Sequence, residues 1–183
     1  MNGTTKISKF ISLVLWHRPE TIGISLDESG WAVIAELVEK SRKVGVVLTS
    51  DQIQKIVAAS DKQRFAISAD GLRIRANQGH SITVDLSFDA TEPPQRLYHG
   101  TAVNNIPAIR HQGLLKGNRQ HVHLSLDLEC AIDVGMRHGK PVVLLIDAGR
   151  MYMDGFDFFL SQNGVWLTDH VPAEYLTLQN KTS

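Results

Sequence analysis

The sequence predicts an α+β protein with two lobes, and three observations support that prediction. Three segments with helical periodicity are followed by a strand hairpin in the first half of the chain. Two consecutive prolines, Pro93 and Pro94, then interrupt regular structure just before a new apolar segment. The rest of the chain alternates short apolar strands with helical segments. We therefore predict an amino-terminal lobe at residues 1–92 and a carboxy-terminal lobe at residues 93–183.

The first two helices are predicted from the spacing of apolar side chains. The apolar positions 7, 10, 11 and 14 fall on one helical face, and Pro19 ends this helix. A second helix is predicted over residues 32–43, with Val33, Leu37 and Val38 facing the core.

A capping motif and a turn motif predict the next three elements. Thr49 and Gln52 form a Thr-x-x-Gln capping box, which indicates the start of a third helix. Residues 64–68 and 72–76 have the composition of two short strands, and Ala69-Asp70-Gly71 between them is a hairpin turn signal. Three helices followed by a hairpin is the element order of a winged-helix domain, a fold often used on nucleic acid. Fold alone does not establish that use.

Basic side chains in and around this hairpin favour contacts with nucleic-acid phosphates. They are Lys62, Arg64, Arg73, Arg75 and His80. Arg73 and Arg75 share one strand face, which favours a stripe of phosphate contacts. A solvated hairpin with scattered charges is the competing interpretation.

The carboxy-terminal lobe is predicted to be rich in strands. We predict strands at 96–99, 121–125, 141–146, 156–160, 165–168 and 175–178, and helices at 103–111 and 127–137. The strand at 141–146 is apolar throughout, so we expect both of its faces to be covered. Cys130 is expected to lie in the core. The sequence contains neither a Gly-x-Gly-x-x-Gly motif nor a Walker loop, so neither a Rossmann nor a P-loop nucleotide site is predicted.

A segment without carboxylates predicts a site for an anion. Between Glu92 and Asp127 the chain contains four histidines and four Arg or Lys residues but no Asp or Glu, although its 19 basic and 19 acidic residues balance overall. His99 is followed by Gly100 and is expected at a strand end, where backbone can approach a ligand closely.

The histidines of this segment have three interpretations. His121, His123 and Ser125 alternate with apolar residues, so one strand face should present two imidazoles and a hydroxyl. They are hydrogen-bonded structural groups, zinc ligands, or the lining of a pocket for a phosphorylated ligand. A structural role is the commonest one for any single histidine, and zinc lacks the usual partner motifs. We prefer the pocket because it also explains the missing carboxylates.

Composition indicates an ordinary globular protein, with 43% hydrophobic and 21% charged residues. Balanced charge argues against a polybasic partner surface, so nucleic-acid contacts must come from local clusters. A single cysteine cannot form an internal disulfide, which fits a reducing cytoplasm. The apolar run 10–16 is too short to span a membrane. We expect a cytoplasmic monomer with no membrane partner.

Seven motifs occur in order along almost the whole chain. They are Ser12-Leu13-Val14-Leu15 with His17-Arg18-Pro19, Asp27-Glu28-Ser29-Gly30-Trp31, Asp61-Lys62-Gln63-Arg64-Phe65, Ile74-Arg75-Ala76 with Gln78-Gly79-His80-Ser81, Tyr98-His99-Gly100-Thr101, Arg119 with His121-Val122-His123-Leu124-Ser125, and Gly164-Val165-Trp166-Leu167-Thr168. Together they resemble the NAD-dependent RNA 2'-phosphotransferases, also called tRNA 2'-phosphotransferases. Each motif alone is a weak signal, whereas the set is highly specific.

This resemblance implies a winged-helix RNA lobe, an ADP-ribosyltransferase-like lobe, and NAD as co-substrate without a metal. The RNA 2'-phosphate would attack the NAD ribose and expel nicotinamide, and the ADP-ribose 2''-hydroxyl would then attack the phosphate. The implied products are 2'-hydroxyl RNA and ADP-ribose cyclic phosphate. The implied partner is an RNA with an internal 2'-phosphate, such as a tRNA.

The resemblance also assigns roles to individual residues. The catalytic residues are His17, Arg64 and Arg119. The NAD contacts are His99, Gly100, Thr101, His123, Ser125 and Val165, of which His99, His123 and Val165 are the ADP-ribosyltransferase triad positions. Contacts with RNA are predicted for Arg18, Lys62, Arg73, Arg75 and His80. Arg binds phosphate bidentately, so Arg64 and Arg119 are expected to clamp the phosphate from two lobes.

Trp16 departs from the family pattern, which has an arginine immediately before the histidine. Arg18 projects roughly 200° further around the helix and is a poor substitute. The departure predicts a slow second step and an accumulating 2'-phospho-ADP-ribosylated RNA.

Two alternative functions remain. One is an ADP-ribosyltransferase that acts on nucleic-acid phosphates and stops at the ADP-ribosylated product. The other is a winged-helix regulator that senses NAD or ADP-ribose without turnover. Histidines and arginines at these positions are better suited to chemistry than to sensing.

Overall fold

In a computed structural model of the chain, the described residues are 3–60, 63–82, 84, 86 and 88–179. Contacts divide the chain into two compact units, Met1–Ser87 and Phe88–Ser183. Each unit has its own cluster of buried apolar side chains. Both helices and antiparallel strands are present, so the α+β prediction is confirmed.

The division between the units lies five residues before the predicted boundary at 92/93. Thr91 donates a backbone hydrogen bond to Phe158 (2.8 Å), and Ala90 forms a β-bridge with Phe159. These residues therefore belong to the second unit. The two prolines lie inside that unit because proline interrupts a hydrogen-bonded ladder without ending a domain.

The first unit contains three helices and a small antiparallel sheet. The elements are α1 (Gly3–Trp16), β1 (Ala32–Val33), α2 (Ile34–Lys43), α3 (Ser50–Ala58), β2 (Phe65–Ile67) and β3 (Arg73–Ala76). The strand order is β1-β3-β2, and Phe65 pairs with Ala76 at the open end of the predicted hairpin. The capping box is also confirmed, since the Thr49 hydroxyl accepts from the Gln52 N–H and the Gln52 side chain accepts from the Thr49 N–H.

The predicted start of the second helix is wrong by two residues. Ala32 and Val33 form β1, and Ala32 pairs with Ile74 of β3. Val33 is 47% exposed rather than buried, whereas Leu37 is completely buried. A two-residue strand is too short to show alternation, so only its pairing partner in the folded chain reveals it.

The second unit is built mainly from short antiparallel strands. Its elements are β4 (Arg96–Ala102), α4 (Ile106–Gln112), β5 (Leu114–Leu115), β6 (Val122–Leu124), α5 (Leu128–Met136), β7 (Pro141–Asp147), α6 (Ala148–Met153), β8 (Phe159–Leu160), β9 (Trp166–Thr168), β10 (His170–Val171) and β11 (Leu176–Gln179). They form sheets with the orders β11-β7-β4, β6-β9-β8 and β10-β5. A bridge between Tyr98 and Ser125 brings β4 next to the end of β6.

The strand that contains His99 is longer than predicted. β4 continues through Gly100 and Thr101 to Ala102 and pairs with β7 along its whole length, so His99 lies in mid-strand and not at a strand end. A Cβ on Gly100 would lie 1.6 Å from the backbone oxygen of Ala131 in α5. Gly100 is therefore required by close helix–strand packing, and the close approach of a ligand to the backbone here stays a prediction.

The helix α5 begins as predicted but exposes its cysteine. The Asp127 carboxylate accepts a hydrogen bond from the Cys130 N–H (2.7 Å) and caps the helix. Cys130 is exposed, which corrects the expectation that it lies in the core, whereas the neighbouring Ala131 is completely buried. No helix in the described part of the chain is both long and apolar enough to cross a bilayer.

Candidate active site

Hydrogen bonds connect three of the predicted site residues in the second unit. Nη1 of Arg119 donates to Nδ1 of His123 (2.9 Å), and Nδ1 of His99 donates to the backbone oxygen of His123 (2.9 Å). β4 and β6 supply the two histidines, and the bridge between Tyr98 and Ser125 keeps these strands side by side. The fold therefore brings together residues that are more than 20 positions apart in the sequence.

These bonds give the two imidazoles opposite tautomers. A carbonyl oxygen only accepts, so His99 carries its proton on Nδ1 and offers the Nε2 lone pair as an acceptor. A guanidinium only donates, so Nδ1 of His123 accepts and its proton lies on Nε2. The pair thus offers one acceptor and one donor nitrogen, an arrangement that suits the hydroxyls of a ribose.

The surroundings of both imidazoles lower their pKa and so favour the neutral form. Burial lowers the pKa of His99, although its bond to the His123 carbonyl acts in the opposite direction. The pKa of His123 falls to about 3, first through burial and then through the positive Arg119. Burial also lowers the pKa of His121, whose ring lies 5.5 Å from that of Phe159. Neutral imidazoles add no positive charge beside Arg119, which is itself exposed.

The remaining predicted NAD contacts differ in accessibility. Gly100 and Thr101 are buried, and the Thr101 hydroxyl accepts a hydrogen bond from the Asn105 side chain (3.1 Å). Ser125 and Val165 are half-buried and lie at adjoining ends of β6 and β9, because Leu124 pairs with Trp166. Val165 is fixed through its N–H, which donates to the Ser161 hydroxyl (2.9 Å).

In the first unit, His17 lies just beyond α1 and contacts a distant serine. Its Nδ1 lies 2.8 Å from the Ser81 hydroxyl, and the Ser81 N–H donates to the Trp16 carbonyl (2.9 Å). His17 itself is exposed. The segment that follows β3 therefore packs back against the carboxyl end of α1.

Arg64 is supported by the same segment. The Asn77 N–H donates to the Arg64 carbonyl (3.0 Å), and the Asn77 side chain donates to the carbonyl of Gln63. Among the described residues, no carboxylate lies within ion-pair distance of Arg64 or of Arg119.

Trp16 is part of the packing of the first unit. Its ring stacks on Phe65 with centroids 5.7 Å apart and meets the ring of His17 edge-on at 6.2 Å. The indole Nε1 is buried without a hydrogen-bond partner. Trp16 is therefore a half-buried aromatic that supplies no positive charge at this position.

Two of the predicted RNA contacts lie together on Trp31. The guanidinium carbon of Arg75 lies 4.6 Å from the centre of the Trp31 ring, and that of Arg73 lies 5.6 Å from it. Arg73 also lies 3.6 Å from the Asp27 carboxylate. The prediction that Arg73 and Arg75 share a strand face is confirmed by this common contact. Arg18 is exposed beyond the end of α1.

His80 does not belong to this exposed surface. Its side chain is completely buried, and both ring nitrogens lack a hydrogen-bond partner. Burial, with the charges of His17 and Arg75, lowers its pKa to about 4. The imidazole of His80 presents no atom to solvent in this structure, and its contact with RNA stays a prediction. Lys62, another predicted contact, lies outside the described residues.

The structure adds residues that the sequence did not single out for a role. Ser81, Asn77 and Trp31 have their partners far away in the chain or across a sheet, and no spacing rule indicates such contacts.

In the described ranges, no group of three or more His, Cys, Asp or Glu side chains is arranged to hold a metal ion.

Residues 2–170 match the family described as "RNA 2'-phosphotransferase, Tpt1 / KptA family". The chain belongs to this family. The matched range includes every predicted site residue, from His17 to Val165.

Curated proteins named as RNA 2'-phosphotransferases are similar to this chain over nearly their full length. A protein of Agrobacterium fabrum is 52% identical over 180 residues, covering 98% of this chain and 97% of its own. One from Flavobacterium johnsoniae is 50% identical over 179 residues, with 98% of each chain covered. One from Rhodopirellula baltica is 54% identical over 171 residues and 93% of each chain. All three are named "Probable RNA 2'-phosphotransferase".

Proposed function

We propose that this protein removes an internal 2'-phosphate from RNA by transferring it to NAD. The observation that supports this proposal most strongly is the chain of hydrogen bonds from Arg119 through His123 to His99. It combines a cation for a phosphate with two neutral imidazoles of opposite tautomer. Family membership supports the same reaction class, since its name denotes transfer of an RNA 2'-phosphate.

NAD is proposed to bind in the second unit, an ADP-ribosyltransferase-like lobe. His99 Nε2 would accept a hydrogen bond from a ribose hydroxyl, and His123 Nε2–H would donate one. Ser125 and Val165, at the adjoining strand ends, would line the same site. Gly100 and Thr101 would act mainly by seating α5 against β4.

The reaction has two steps. In the first, an oxygen of the RNA 2'-phosphate bonds to the NAD ribose carbon while the bond to nicotinamide breaks and neutral nicotinamide leaves. In the second, the 2''-hydroxyl of ADP-ribose attacks the phosphorus and loses its proton, and the RNA 2'-oxygen leaves and gains one. The products are 2'-hydroxyl RNA and ADP-ribose 1''-2''-cyclic phosphate. Arg64 and Arg119 would stabilise the phosphate charge in both steps, and His17 would hydrogen-bond the phosphate or the attacking hydroxyl.

The first unit is proposed to be a winged-helix lobe that binds the RNA. Arg73 and Arg75 on Trp31, together with the exposed Arg18, would contact RNA phosphates. A tRNA-like substrate would place the reaction in tRNA splicing or RNA repair. The protein is further proposed to act as a cytoplasmic monomer.

A short RNA with one internal 2'-phosphate tests this function. The RNA is incubated with the protein, with and without NAD, and substrate, ADP-ribosylated RNA and 2'-hydroxyl RNA are resolved over time. Conversion that requires NAD is expected. Arg64→Ala and Arg119→Ala are expected to abolish dephosphorylation, whereas Arg42→Ala and Arg137→Ala, exposed arginines in the same two units, should not. Full activity in either of the first two variants would disprove their role in binding the phosphate.

A second candidate function follows from Trp16. Because its stacked ring replaces the family arginine, the second step would lack one cation and ADP-ribosylated RNA would accumulate. A stable ADP-ribosylated product would identify an ADP-ribosyltransferase that stops there. Binding of NAD and RNA with no product of either kind would instead indicate a sensor.

A further inference from the structure

We propose that Ser81 is a positioning residue that fixes the orientation and tautomer of the His17 imidazole. The inference rests on the proposed function, in which His17 takes part in the transfer reaction. Ser81 itself would touch neither the RNA nor NAD, and would act only through the histidine.

Three contacts attach Ser81 to the end of α1. Its hydroxyl oxygen lies 2.8 Å from His17 Nδ1 and 3.5 Å from the Trp16 carbonyl oxygen, and its N–H donates to that carbonyl at 2.9 Å. The serine and the histidine are 64 positions apart in the sequence. Their meeting is therefore a property of the fold and not of local chain geometry.

The Trp16 carbonyl sets the direction of both hydrogen bonds of the Ser81 hydroxyl. The Trp16 carbonyl only accepts, so the Ser81 hydroxyl donates to it, and the oxygen then accepts from Nδ1–H of His17. The carboxyl end of a helix bears partial negative charge, which also favours an N–H directed towards it. With its proton on Nδ1, His17 has Nε2 as its basic nitrogen. Nε2 would take up the proton that the attacking ribose hydroxyl loses.

The segment that carries Ser81 is firmly held. His80 is completely buried beside it, and the Cβ of an alanine at Gly30 would lie only 3.4 Å from His80 Nε2. Asn77, at the other end of the segment, is hydrogen-bonded to the backbone of Gln63 and Arg64. The same short segment thus supports both His17 and Arg64, the two predicted catalytic residues of the first unit.

A merely structural role for Ser81 can be separated from a positioning role. In Ser81→Ala the backbone N–H still donates to the Trp16 carbonyl, so the attachment of the segment remains. Only the hydroxyl between that carbonyl and the imidazole is removed. Ser81→Thr keeps the hydroxyl, and its added methyl group has room because Ser81 is exposed. Ser12→Ala is the matched control, since Ser12 lies in α1 and its hydroxyl donates to the Ser8 carbonyl of the same helix.

The first measurement is the nitrogen NMR spectrum of His17 in the full chain without substrates, assigned with a His17→Gln variant. Wild type, Ser81→Thr and Ser12→Ala are expected to show a proton on Nδ1 and a lone pair on Nε2. Ser81→Ala is expected to show a mixture or the other tautomer. An unchanged His17 spectrum in Ser81→Ala would overturn the proposal, whatever the protein's activity.

The second measurement is turnover of the 2'-phosphorylated RNA with NAD. We expect Ser81→Ala to lower kcat about 10- to 100-fold with little change in KM, because misplacement of a catalytic group costs rate rather than binding. Ser81→Thr should restore kcat, and Ser81→Ala should have no further effect in a His17→Ala background. Normal kcat in Ser81→Ala would refute the positioning role. An inactive wild type would refute the proposed function, while the spectrum would still report on the contact.

Discussion

Trp16→Arg is expected to accelerate the second step and to destabilise the fold. The substitution places a guanidinium next to His17, where it can stabilise the charge that develops on the phosphate. One such donor is typically worth about 100-fold or more in rate. We therefore expect the ADP-ribosylated RNA to disappear faster. The expected gain is only about 10- to 100-fold, because the new side chain lies in a site that was packed for an indole.

The loss of stability can be estimated from the contacts of the indole. Trp16 is half-buried, so roughly 100 Å² of apolar surface would be re-exposed, which at about 25 cal/mol/Å² corresponds to about 2.5 kcal/mol. Stacking on Phe65 at 5.7 Å adds roughly 0.5–1.5 kcal/mol. The methylene stem of arginine recovers part of this, and so does removal of the buried, unpartnered Nε1. The net cost is about 1–3 kcal/mol, or a fall in Tm of about 2–12 °C.

Single-turnover assays with 2'-phosphorylated RNA and saturating NAD measure the two steps separately. Trp16→Phe is the control, because it keeps an aromatic ring on Phe65 but adds no charge. A thermal melt of each variant records the stability cost. If Trp16→Arg loses stability as expected but its intermediate decays no faster than in the wild type, the missing cation is not the cause of a slow second step.

Three further outcomes are expected. The pKa of His80 in the folded protein, about 4, lies below the usual 6.5. The stability that the neutral His80 contributes is therefore complete above pH 6.5 and is lost as pH falls towards 4. Between about pH 7 and about pH 5 we expect the free energy of unfolding to fall by about 2 kcal/mol. Denaturant titrations should show that His80→Phe loses less over this range, and an equal loss would contradict the assignment. Gly100→Ala should leave little folded protein in a thermal melt, because its Cβ would lie 1.6 Å from the Ala131 oxygen, whereas Gly117→Ala, with no atom within 4 Å, should melt normally apart from its backbone strain. Trp31→Leu should weaken RNA binding about 3- to 30-fold in an affinity titration without changing NAD binding, since it removes the ring under Arg75; equal affinity would show that the stack does not orient the arginines.

Local signals were sufficient for most of the helices and strands. The Thr49–Gln52 capping box, the hairpin turn at 69–71 and the apolar strand later defined as β7 depend on neighbouring residues, and all three were predicted correctly. Errors arose where a distant partner decides the structure. β1 exists because Ala32 pairs with Ile74, and β4 continues past His99 because β7 provides a partner as far as Ala102.

The sequence by itself determined the α+β class and the family, and it predicted the residues that are proposed to bind phosphate and NAD. These features depend on residue type and order, since a sequence motif can be recognised without knowing which residues it contacts in the fold. Only the tertiary structure decided that His99 and His123 have opposite tautomers, that His80 is buried, and that Ser81 meets His17. The tautomer of a histidine, the burial of a side chain and a long-range hydrogen bond each depend on which atoms pack against the residue. Those atoms belong to parts of the chain that are distant in sequence.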